Sequence, residues 1–174
     1  MDTIIVAFGY KKQVGKDTAY NMVEKLARNR GINIHRIAFA DPLKKEILRD
    51  FFKVPENNLD FFEKNKPQIR SLMQAWGDGK RNFINPNYWT VKALNEVKPG
   101  YLNIFTDMRY PNEKELIDKL GGTTIEIIRD TGDDDSHTSE ISLNGVPMNF
   151  TIENNGTLEE FEIKIIDLFL NYIL

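Results

Sequence analysis

Residues Ile4–Thr18 read IIVAFGYKKQVGKDT and give the clearest indication of both fold and chemistry. The apolar run at the start predicts a buried parallel strand, and the residues after Lys16 follow a helical pattern. Between them lies a polar loop that begins and ends with glycine. Backbone N–H groups in such a loop, together with the positive end of the helix dipole, bind phosphate oxygens. Lys16 adds a mobile cation, so the stretch predicts a site for a nucleotide polyphosphate such as ATP or GTP.

This loop departs from the common phosphate-binding pattern in two ways. Five residues separate Gly9 from Gly15, and Asp17 rather than Ser or Thr follows the lysine. The usual loop has four residues between its glycines. A glycine turn before a lysine at a helix start would give a similar sequence. The strand before the loop and the helix after it are both recognisable, and they favour the phosphate-binding interpretation.

Composition places the chain among ordinary globular domains. Its 174 residues suffice for one compact domain, and 41% hydrophobic with 28% charged residues is typical of that class. A net charge of −3 argues against a general electrostatic nucleic-acid binder. The chain has no cysteine, which rules out disulfides and thiolate zinc sites. We expect a cytoplasmic protein with no signal peptide and no membrane-spanning segment.

Strand-like and helix-like segments alternate along the chain. The predicted strands are Thr3–Phe8, Asn33–Ala40, Tyr101–Thr106, Thr123–Ile128 and Met148–Glu153. The predicted helices are Asp17–Arg30, Pro42–Phe52, Pro67–Trp76, Asn87–Val97, Asn112–Leu120 and Leu158–Ile173. This alternation predicts a parallel α/β sheet with right-handed crossovers. The helical region 42–99 is too long for one crossover, so we expect an insertion that covers a second substrate.

Two acids end predicted strands, at the edge of the sheet where open α/β folds bind ligands. Asp107 follows a mostly apolar strand, a position from which an acid organises Mg²⁺ or its water shell, and Arg109 lies two residues further on. A solvated acid at a strand end is the simpler alternative for Asp107. Asp41 precedes Pro42 and is expected to cap the following helix. A carboxylate there also suits a substrate hydroxyl or Mg²⁺.

The inserted region carries cations suited to a phosphate acceptor. Arg70 and Arg81 have planar guanidinium groups that bind phosphate through two parallel hydrogen bonds. Arg70 and Gln74 lie four residues apart on one helical face, and Gly77 is expected to free the backbone after them. We expect the lysines of this region to be solvated: Lys64, Lys66 and Lys80.

Two polar loops complete the set of candidate residues. Asp130–His137 is the expected mobile loop, and His137 forms a polar cluster with Ser139 and Glu140. Asn154–Thr157 joins the last predicted strand to the last helix. This connection is either a plain turn with a helix cap or an adenine-contacting loop at the carboxyl edge of the sheet.

Six motifs occur in order along the chain. They are Gly15-Lys16-Asp17-Thr18, Phe39-Ala40-Asp41-Pro42-Leu43-Lys44, Arg70-x-x-x-Gln74-x-x-Gly77-x-x-x-Arg81, Asn85-Pro86-Asn87-Tyr88-Trp89, Thr106-Asp107-Met108-Arg109-Tyr110-Pro111-Asn112-Glu113 and His137-Thr138-Ser139-Glu140. Together with the Asn154–Thr157 loop, they resemble the deoxynucleoside monophosphate kinases of tailed phages, in the nucleoside monophosphate kinase branch of P-loop proteins. Each motif is weak alone, whereas the ordered set is specific and spans nearly the whole chain.

The resemblance implies an architecture and an activity. The fold would be a three-layer α/β P-loop domain whose five parallel strands take the order 2-3-1-4-5. A single kinase domain 1–174 would comprise a core (1–41 and 100–174), a helical acceptor-binding insert (42–99) and a lid-like loop (130–147). The activity would be transfer of the γ-phosphoryl of ATP, with Mg²⁺, to a deoxynucleoside 5′-monophosphate, in nucleotide supply for DNA synthesis. The partners would be free nucleotides rather than nucleic acid or membrane, and a homodimer is left open.

The resemblance and the residues together predict the site. The expected donor site comprises Gly9, Lys12, Val14, Gly15, Lys16, Asp17, Thr18, Arg129, Asn154 and Gly156. The expected acceptor site comprises Asp41, Lys44, Arg70, Gln74, Gly77, Arg81, Trp89, Asp107, Arg109, His137 and Glu140. The residues expected to be catalytic are Lys16, Asp41, Arg70, Arg81, Asp107 and Arg109. Mg²⁺ is assigned to Asp17 and Asp107, directly or through water. Asp78 stands where relatives more often have a small hydroxyl residue, so the preferred base stays open.

Two other functions remain open on sequence alone. A P-loop kinase could act on another acceptor, either a modified base in DNA or a small phosphorylated metabolite. Animal-type phosphomevalonate kinases share a similar Gly-Lys-Asp loop, whereas the net charge of −3 gives the DNA acceptor no support. The second alternative is a non-catalytic nucleotide-binding module. Such a module would not need Arg70, Arg81 and Arg109 to converge.

Overall fold

The computed structural model describes residues 2–9, 11–130, 132 and 138–174, without the side chains of residues 59, 63, 66, 139 and 140. Two compact units make up the chain. The sheet unit extends to Ile37 and resumes at Val97–Leu174, and the helical unit is Ala38–Glu96. Within the described part of the chain, every helix is too short or too polar to cross a lipid bilayer.

A five-stranded parallel sheet forms the centre of the sheet unit. Its strands are β1 (Ile4–Gly9), β2 (Ile34–Ile37), β3 (Leu102–Met108), β4 (Thr123–Ile128) and β5 (Phe150–Glu153). They take the order β2-β3-β1-β4-β5, which confirms the expected topology. Val6 of β1 pairs with Ile104 on one side and Thr123 on the other. Because β1 is central and covered on both faces, its sequence is an uninterrupted apolar run.

Seven helices are described in the two units. They are α1 (Lys16–Asn29), α2 (Ala40–Ile47), α3 (Leu59–Phe83), α4 (Tyr88–Leu94), α5 (Pro111–Lys119), α6 (Thr138–Ile141) and α7 (Leu158–Tyr172). A five-residue π-helical turn, Leu48–Phe52, continues α2. Helices α2, α3 and α4 belong to the helical unit, and the other four belong to the sheet unit.

The two faces of β1 bury different layers of the sheet unit. Val6 and Phe8 pack into a core with apolar residues of α1 and α7, and the ring centroid of Phe8 lies 6.3 Å from that of Phe169. Ile5 points to the opposite face, since side chains alternate along a strand. A Cβ added at Gly122 would lie 2.8 Å from methyl groups of Ile5 and Ile117. Glycine at this position therefore allows α5 to approach the sheet closely.

The helical unit has its own hydrophobic core. Its fully or largely buried members are Leu43, Ile47, Leu48, Phe62, Ile69 and Trp89. The apolar residues of α3 recur at helical spacing and face this core, and Pro67 lies inside the helix. An internal proline costs a helix about 3 kcal/mol. Packing of the apolar stripe offsets that cost, so α3 continues through Pro67.

The structure corrects several predicted boundaries. Strand β2 ends at Ile37 instead of Ala40, and α2 begins at Ala40 with Phe39 at its N-cap. The prediction that Asp41 caps this helix is therefore wrong, because Asp41 lies in its first turn. Pro42 is tolerated at the third helical position, where the backbone N–H would have no partner within the helix.

The largest correction concerns α3. It runs without a break over Leu59–Phe83, where sequence patterns predict only Pro67–Trp76. Gly77 was expected to free the backbone, yet it lies buried inside the continuous helix. The short helix α6 was also not predicted; it lies within the expected lid 130–147. Local propensity predicts a break at proline and glycine, and tertiary packing overrides it here.

Candidate active site

The loop between β1 and α1 has the backbone of an anion site. Gly15 is the N-cap residue of α1 and has a left-handed conformation, with φ 105° and ψ 21°. Gln13 also has a positive φ, 60°. Among the described residues, no side chain caps the N-terminus of α1, and the first N–H groups of a helix have no partner within the helix itself. Such turns gather N–H groups into a concave site for phosphate.

Lys16 lies across this loop. The residue is 9% exposed, and its ammonium group donates a hydrogen bond to the Lys11 carbonyl. Val14, also expected at the donor site, is buried in the core of the sheet unit. Asp17 and Thr18 are exposed on the first turn of α1, and an Asp17 carboxylate oxygen lies 3.8 Å from the Arg36 guanidinium. The Lys16 ammonium, the Asp17 carboxylate and the Thr18 hydroxyl are therefore carried by the same turn, at the N-terminus of α1.

Strand β3 brings Asp107 beside the start of the loop. Ala7 pairs with Phe105, but Gly9 pairs with Met108, so β3 contains one extra residue in this interval. Irregularities of this kind redirect a side chain at a strand end. Asp107 is partly exposed, whereas the other residues of β3 are buried. The register therefore places the predicted metal-organising acid next to Gly9, the first glycine of the loop.

Glu113 holds the backbone that follows Asp107. Its buried carboxylate accepts hydrogen bonds from the backbone N–H of Arg109 at 2.6 Å and of Tyr110 at 3.1 Å. These bonds tie the N-terminus of α5 to the segment that carries Arg109. Sequence reasoning gave Glu113 no role of its own, although its spacing from Tyr110 matches the third position of a capping box.

The oxygen ligands available in the sheet unit fit magnesium. Asp17, Thr18 and Asp107 offer hard oxygen donors, and Mg²⁺ is commonly held by one or two carboxylates together with substrate phosphates and water. Among the described residues, His, Cys, Asp and Glu side chains nowhere form a group of three or more that would hold a metal by themselves.

The connection between β5 and α7 packs against the phosphate loop. Asn154 is 9% exposed, and its amide nitrogen lies 2.8 Å from the Val14 carbonyl oxygen. The next residues form a capping box in which Thr157 and Glu160 exchange hydrogen bonds at the start of α7. A side chain at Gly156 would displace the flexible Glu160 carboxylate from this capping box. Arg129, also expected at the donor site, is exposed just after β4.

In the helical unit, α3 aligns the predicted acceptor residues. At 100° per residue, Arg70, Gln74, Gly77 and Arg81 fall within about 60° of one another around the helix. Arg81 Nη1 lies 3.3 Å from Asp78 Oδ1. A Cβ at Gly77 would lie 3.2 Å from that same nitrogen, so the glycine leaves room for the guanidinium group. Because α3 is continuous, the residues of this motif lie along one face of the helix and form one polar stripe.

Trp89 of α4 supports this stripe, and α2 carries two further predicted acceptor residues. Trp89 is 2% exposed, and its ring nitrogen donates to the Gly77 carbonyl at 3.1 Å. Its place is in the packing of the helical unit, and it offers little surface to a ligand. Lys44 Nζ lies 3.3 Å from Asp41 Oδ1, and both side chains are partly exposed on α2. A substrate hydroxyl or phosphate can reach such a pair from solvent.

Sequence reasoning missed a buried carboxylate in the helical unit. The Glu46 side chain is 3% exposed and accepts hydrogen bonds from Lys92 at 2.6 Å, Tyr88 at 2.7 Å and Trp76 at 3.2 Å. Lys80 was expected to be solvated, but its side chain is 25% exposed and forms an ion pair with Glu46 at 3.6 Å. Burial by itself raises the pKa of Glu46, but these donors outweigh burial and hold the pKa below its ordinary value.

The hydrogen bond to Glu46 also raises the pKa of Lys92. One signal in the sequence points to this cluster, because Glu46 interrupts the apolar face that Leu43 and Ile47 form on α2. The predicted site residue His137 and the side chain of Glu140 lie outside the described residues.

Two solved structures share the fold. The APS kinase CysC of Mycobacterium tuberculosis, in complex with AMPPNP and APS, is 13% identical with a TM-score of 0.52, covering 98% of this chain and 99% of that one. TT1252 from Thermus thermophilus is 13% identical with a TM-score of 0.51, covering 100% of both chains. Together with the sheet order and the loop after β1, these likenesses define the class: the protein has the fold of a P-loop kinase.

Sequence relatives narrow the class further. The family model for deoxynucleotide monophosphate kinase matches residues 52–165. A putative deoxynucleotide monophosphate kinase of Acanthamoeba polyphaga mimivirus is 38% identical over 74% of this chain and 79% of its own length. The deoxynucleotide monophosphate kinase of Escherichia phage RB69 is 35% identical over 56% of this chain and 43% of its own length. The chain belongs to the deoxynucleotide monophosphate kinase family, and it is a nucleotide kinase.

Proposed function

We propose that this kinase transfers the γ-phosphoryl group of ATP to a deoxynucleoside 5′-monophosphate and releases the two diphosphates. The sheet unit binds the donor, and the helical unit is the acceptor-binding insert. The observation that carries the proposal is the loop after β1. Its left-handed Gly15, the N-terminus of α1 without a side-chain cap and the nearly buried Lys16 together suit a polyphosphate. Membership of the family supports the deoxynucleotide acceptor.

The reaction requires little covalent chemistry from the protein itself. The acceptor phosphate is already a nucleophile, so alignment and charge neutralisation are the main requirements. Lys16 and the N–H groups of the loop hold the donor phosphates. Arg70 and Arg81, on one face of α3, hold the acceptor phosphate, and Arg109 adds positive charge at the end of β3. Asp41 accepts a hydrogen bond from an acceptor hydroxyl.

Magnesium completes the donor site in this proposal. Asp17, Thr18 and Asp107 would hold it directly or through water, and bound Mg²⁺ would neutralise phosphate charge. The position of Asp107 beside Gly9 supports this assignment.

A phosphoryl-transfer screen tests the proposal. The protein is incubated with ATP and Mg²⁺ and with each deoxynucleoside monophosphate in turn, and diphosphate formation is measured by chromatography. A DNA duplex with a hydroxymethylated base and phosphomevalonate serve as alternative acceptors. Transfer to at least one deoxynucleotide is expected. Transfer to DNA or to phosphomevalonate alone would contradict the proposed acceptor class.

The variant Lys16→Ala tests the donor site. Loss of a positioned cation at a transferring phosphoryl group is expected to lower turnover about 100- to 1000-fold. Lys25→Ala is the matched control, because Lys25 lies on the same helix with a side chain 75% exposed. Thermal unfolding of both variants checks that the fold is intact. Turnover of Lys16→Ala close to that of Lys25→Ala would show that the loop is not the donor site.

A further inference from the structure

A single side chain from the end of the sheet reaches the phosphate loop. Asn154 follows β5, and its amide nitrogen donates to the Val14 carbonyl, across 140 residues of sequence, at 2.8 Å. Asn154 is nearly buried, so this hydrogen bond is largely shielded from water. A Cβ added at Gly15 would lie 2.6 Å from the same nitrogen. The amide therefore packs directly against the peptide that precedes Lys16.

This contact determines the orientation of one peptide group. The peptide between Val14 and Gly15 is planar and trans, so its carbonyl and its N–H point in opposite directions. With the carbonyl held by Asn154, the Gly15 N–H points away from Asn154. Gly15 has φ 105°, a conformation that is accessible mainly to glycine. Glycine adopts many other backbone conformations about as readily, so the residue does not fix its own orientation. A fixed donor is needed here to keep a flexible residue in one orientation.

We propose that Asn154 is a positioning residue of the phosphate loop, which orients the Gly15 N–H toward the donor phosphates by holding the Val14 carbonyl. This inference rests on the proposed function, because it assigns the loop to the donor. This positioning role differs from a contact between Asn154 and the adenine base. An amide N–H directed at the loop backbone acts on any polyphosphate, whichever base is attached.

The substitution Asn154→Asp tests this role. A carboxylate has nearly the same shape, but it cannot donate to the Val14 carbonyl. Asn149→Asp is the matched control at the opposite end of β5. Asn149 accepts hydrogen bonds from the Thr124 N–H and hydroxyl through Oδ1, and an aspartate keeps both. Both variants gain one negative charge, but only that of Asn154→Asp lies beside the phosphate loop, so the neutral variant Asn154→Ala measures the loss of the donated hydrogen bond by itself.

Binding of ATP and of inorganic tripolyphosphate is measured by calorimetry. Loss of a buried hydrogen bond is expected to weaken both ligands by a similar factor, about ten- to a hundred-fold, in Asn154→Ala. Asn154→Asp should weaken them at least as much, because its carboxylate also repels phosphate. Asn149→Asp should bind both as the wild type does, and the KM for the monophosphate should change little in either variant. If Asn154→Asp weakens ATP but leaves tripolyphosphate unchanged, Asn154 contacts the base and the inference is wrong.

Hydrogen exchange in the ligand-free protein gives a readout that does not depend on kinase activity. Amides of residues 14–19 should exchange at least several-fold faster in Asn154→Asp than in Asn149→Asp. Asn154→Ala, which introduces no charge, should change in the same direction, and thermal unfolding identifies any variant that fails to fold. Equal exchange in a folded variant would overturn the positioning role. If the wild type binds no tripolyphosphate, the proposed donor site fails, and the exchange result still decides whether Asn154 orders the loop.

Discussion

The buried carboxylate of Glu46 gives the sharpest prediction about stability. One of its oxygens accepts from Tyr88 and Lys92, and the other accepts from Trp76 and faces Lys80. In Glu46→Gln, the amide oxygen can keep the first pair of partners. The amide NH₂ then faces the Trp76 N–H and the Lys80 ammonium, neither of which can accept a hydrogen bond. The substitution therefore preserves the shape of the side chain but removes the acceptor for Trp76 and Lys80.

The cost follows from the groups that lose a partner. An unsatisfied Trp76 N–H costs about 1–3 kcal/mol. The lysine side chains are 25% and 38% exposed, so water screens them, and each lost charge interaction is worth about 0.5–1 kcal/mol. We expect Glu46→Gln to lower the free energy of unfolding by about 2–5 kcal/mol, out of the 5–15 kcal/mol typical of a domain. Glu46→Ala removes the carboxylate and leaves every one of its partners without an acceptor, so it should cost about 3–5 kcal/mol.

Urea unfolding followed by tryptophan fluorescence measures this loss. The only two tryptophans of the chain, Trp76 and Trp89, lie in the helical unit, so the signal reports that unit. Midpoints rather than amplitudes are compared, since Trp76 contacts the mutated group. Glu96→Gln is the matched control in the same unit: its carboxylate is 50% exposed and 3.6 Å from Lys45, and it should cost less than 0.5 kcal/mol. Equal midpoints for the two glutamine variants would refute the reasoning.

Further measurements address pH, the acceptor and the loop. The folded-state pKa of Glu46 is lowered, so its contribution to stability is complete above the ordinary glutamate pKa of about 4.3 and is lost as pH falls through the folded-state value. Urea midpoints should drop more steeply on acidification in the wild type than in Glu46→Gln, and parallel curves would contradict this. Arg70→Lys and Arg81→Lys should lower kcat/KM for the monophosphate about ten- to a hundred-fold. An equal loss of ATP affinity would mean that the helical unit is assigned to the wrong substrate. Gly15→Ala should cost more stability than Gly121→Ala: both have positive φ, but a Cβ at Gly15 lies 2.6 Å from a side-chain nitrogen and one at Gly121 has no neighbour within 4 Å. Urea unfolding followed by far-UV circular dichroism compares the two, because both glycines lie in the sheet unit and the tryptophans report the helical unit. Equal losses would leave backbone strain as the sole cause.

Features encoded by adjacent residues could be predicted from the sequence. The phosphate loop is one continuous stretch, so strand, glycines, lysine and helix follow each other and can be recognised together. The α/β class followed from the alternation of short apolar and helical segments, and the ordered motifs led to the correct family and strand order. Helix boundaries were less reliable, because α3 passes through Pro67 and Gly77 against local propensity.

Features that join distant residues came only from the tertiary structure. The hydrogen-bond partners of Glu46 lie 30, 42 and 46 residues away, and no local pattern distinguishes Lys80 and Lys92 from solvated lysines. The extra residue in β3 beside Gly9 depends on how two strands pair, and the hydrogen bond from Asn154 to Val14 depends on where β5 ends. Periodicity and propensity act within a few residues along the chain. Burial, register and the pairing of polar groups are decided between segments, after the chain has folded and brought them into contact.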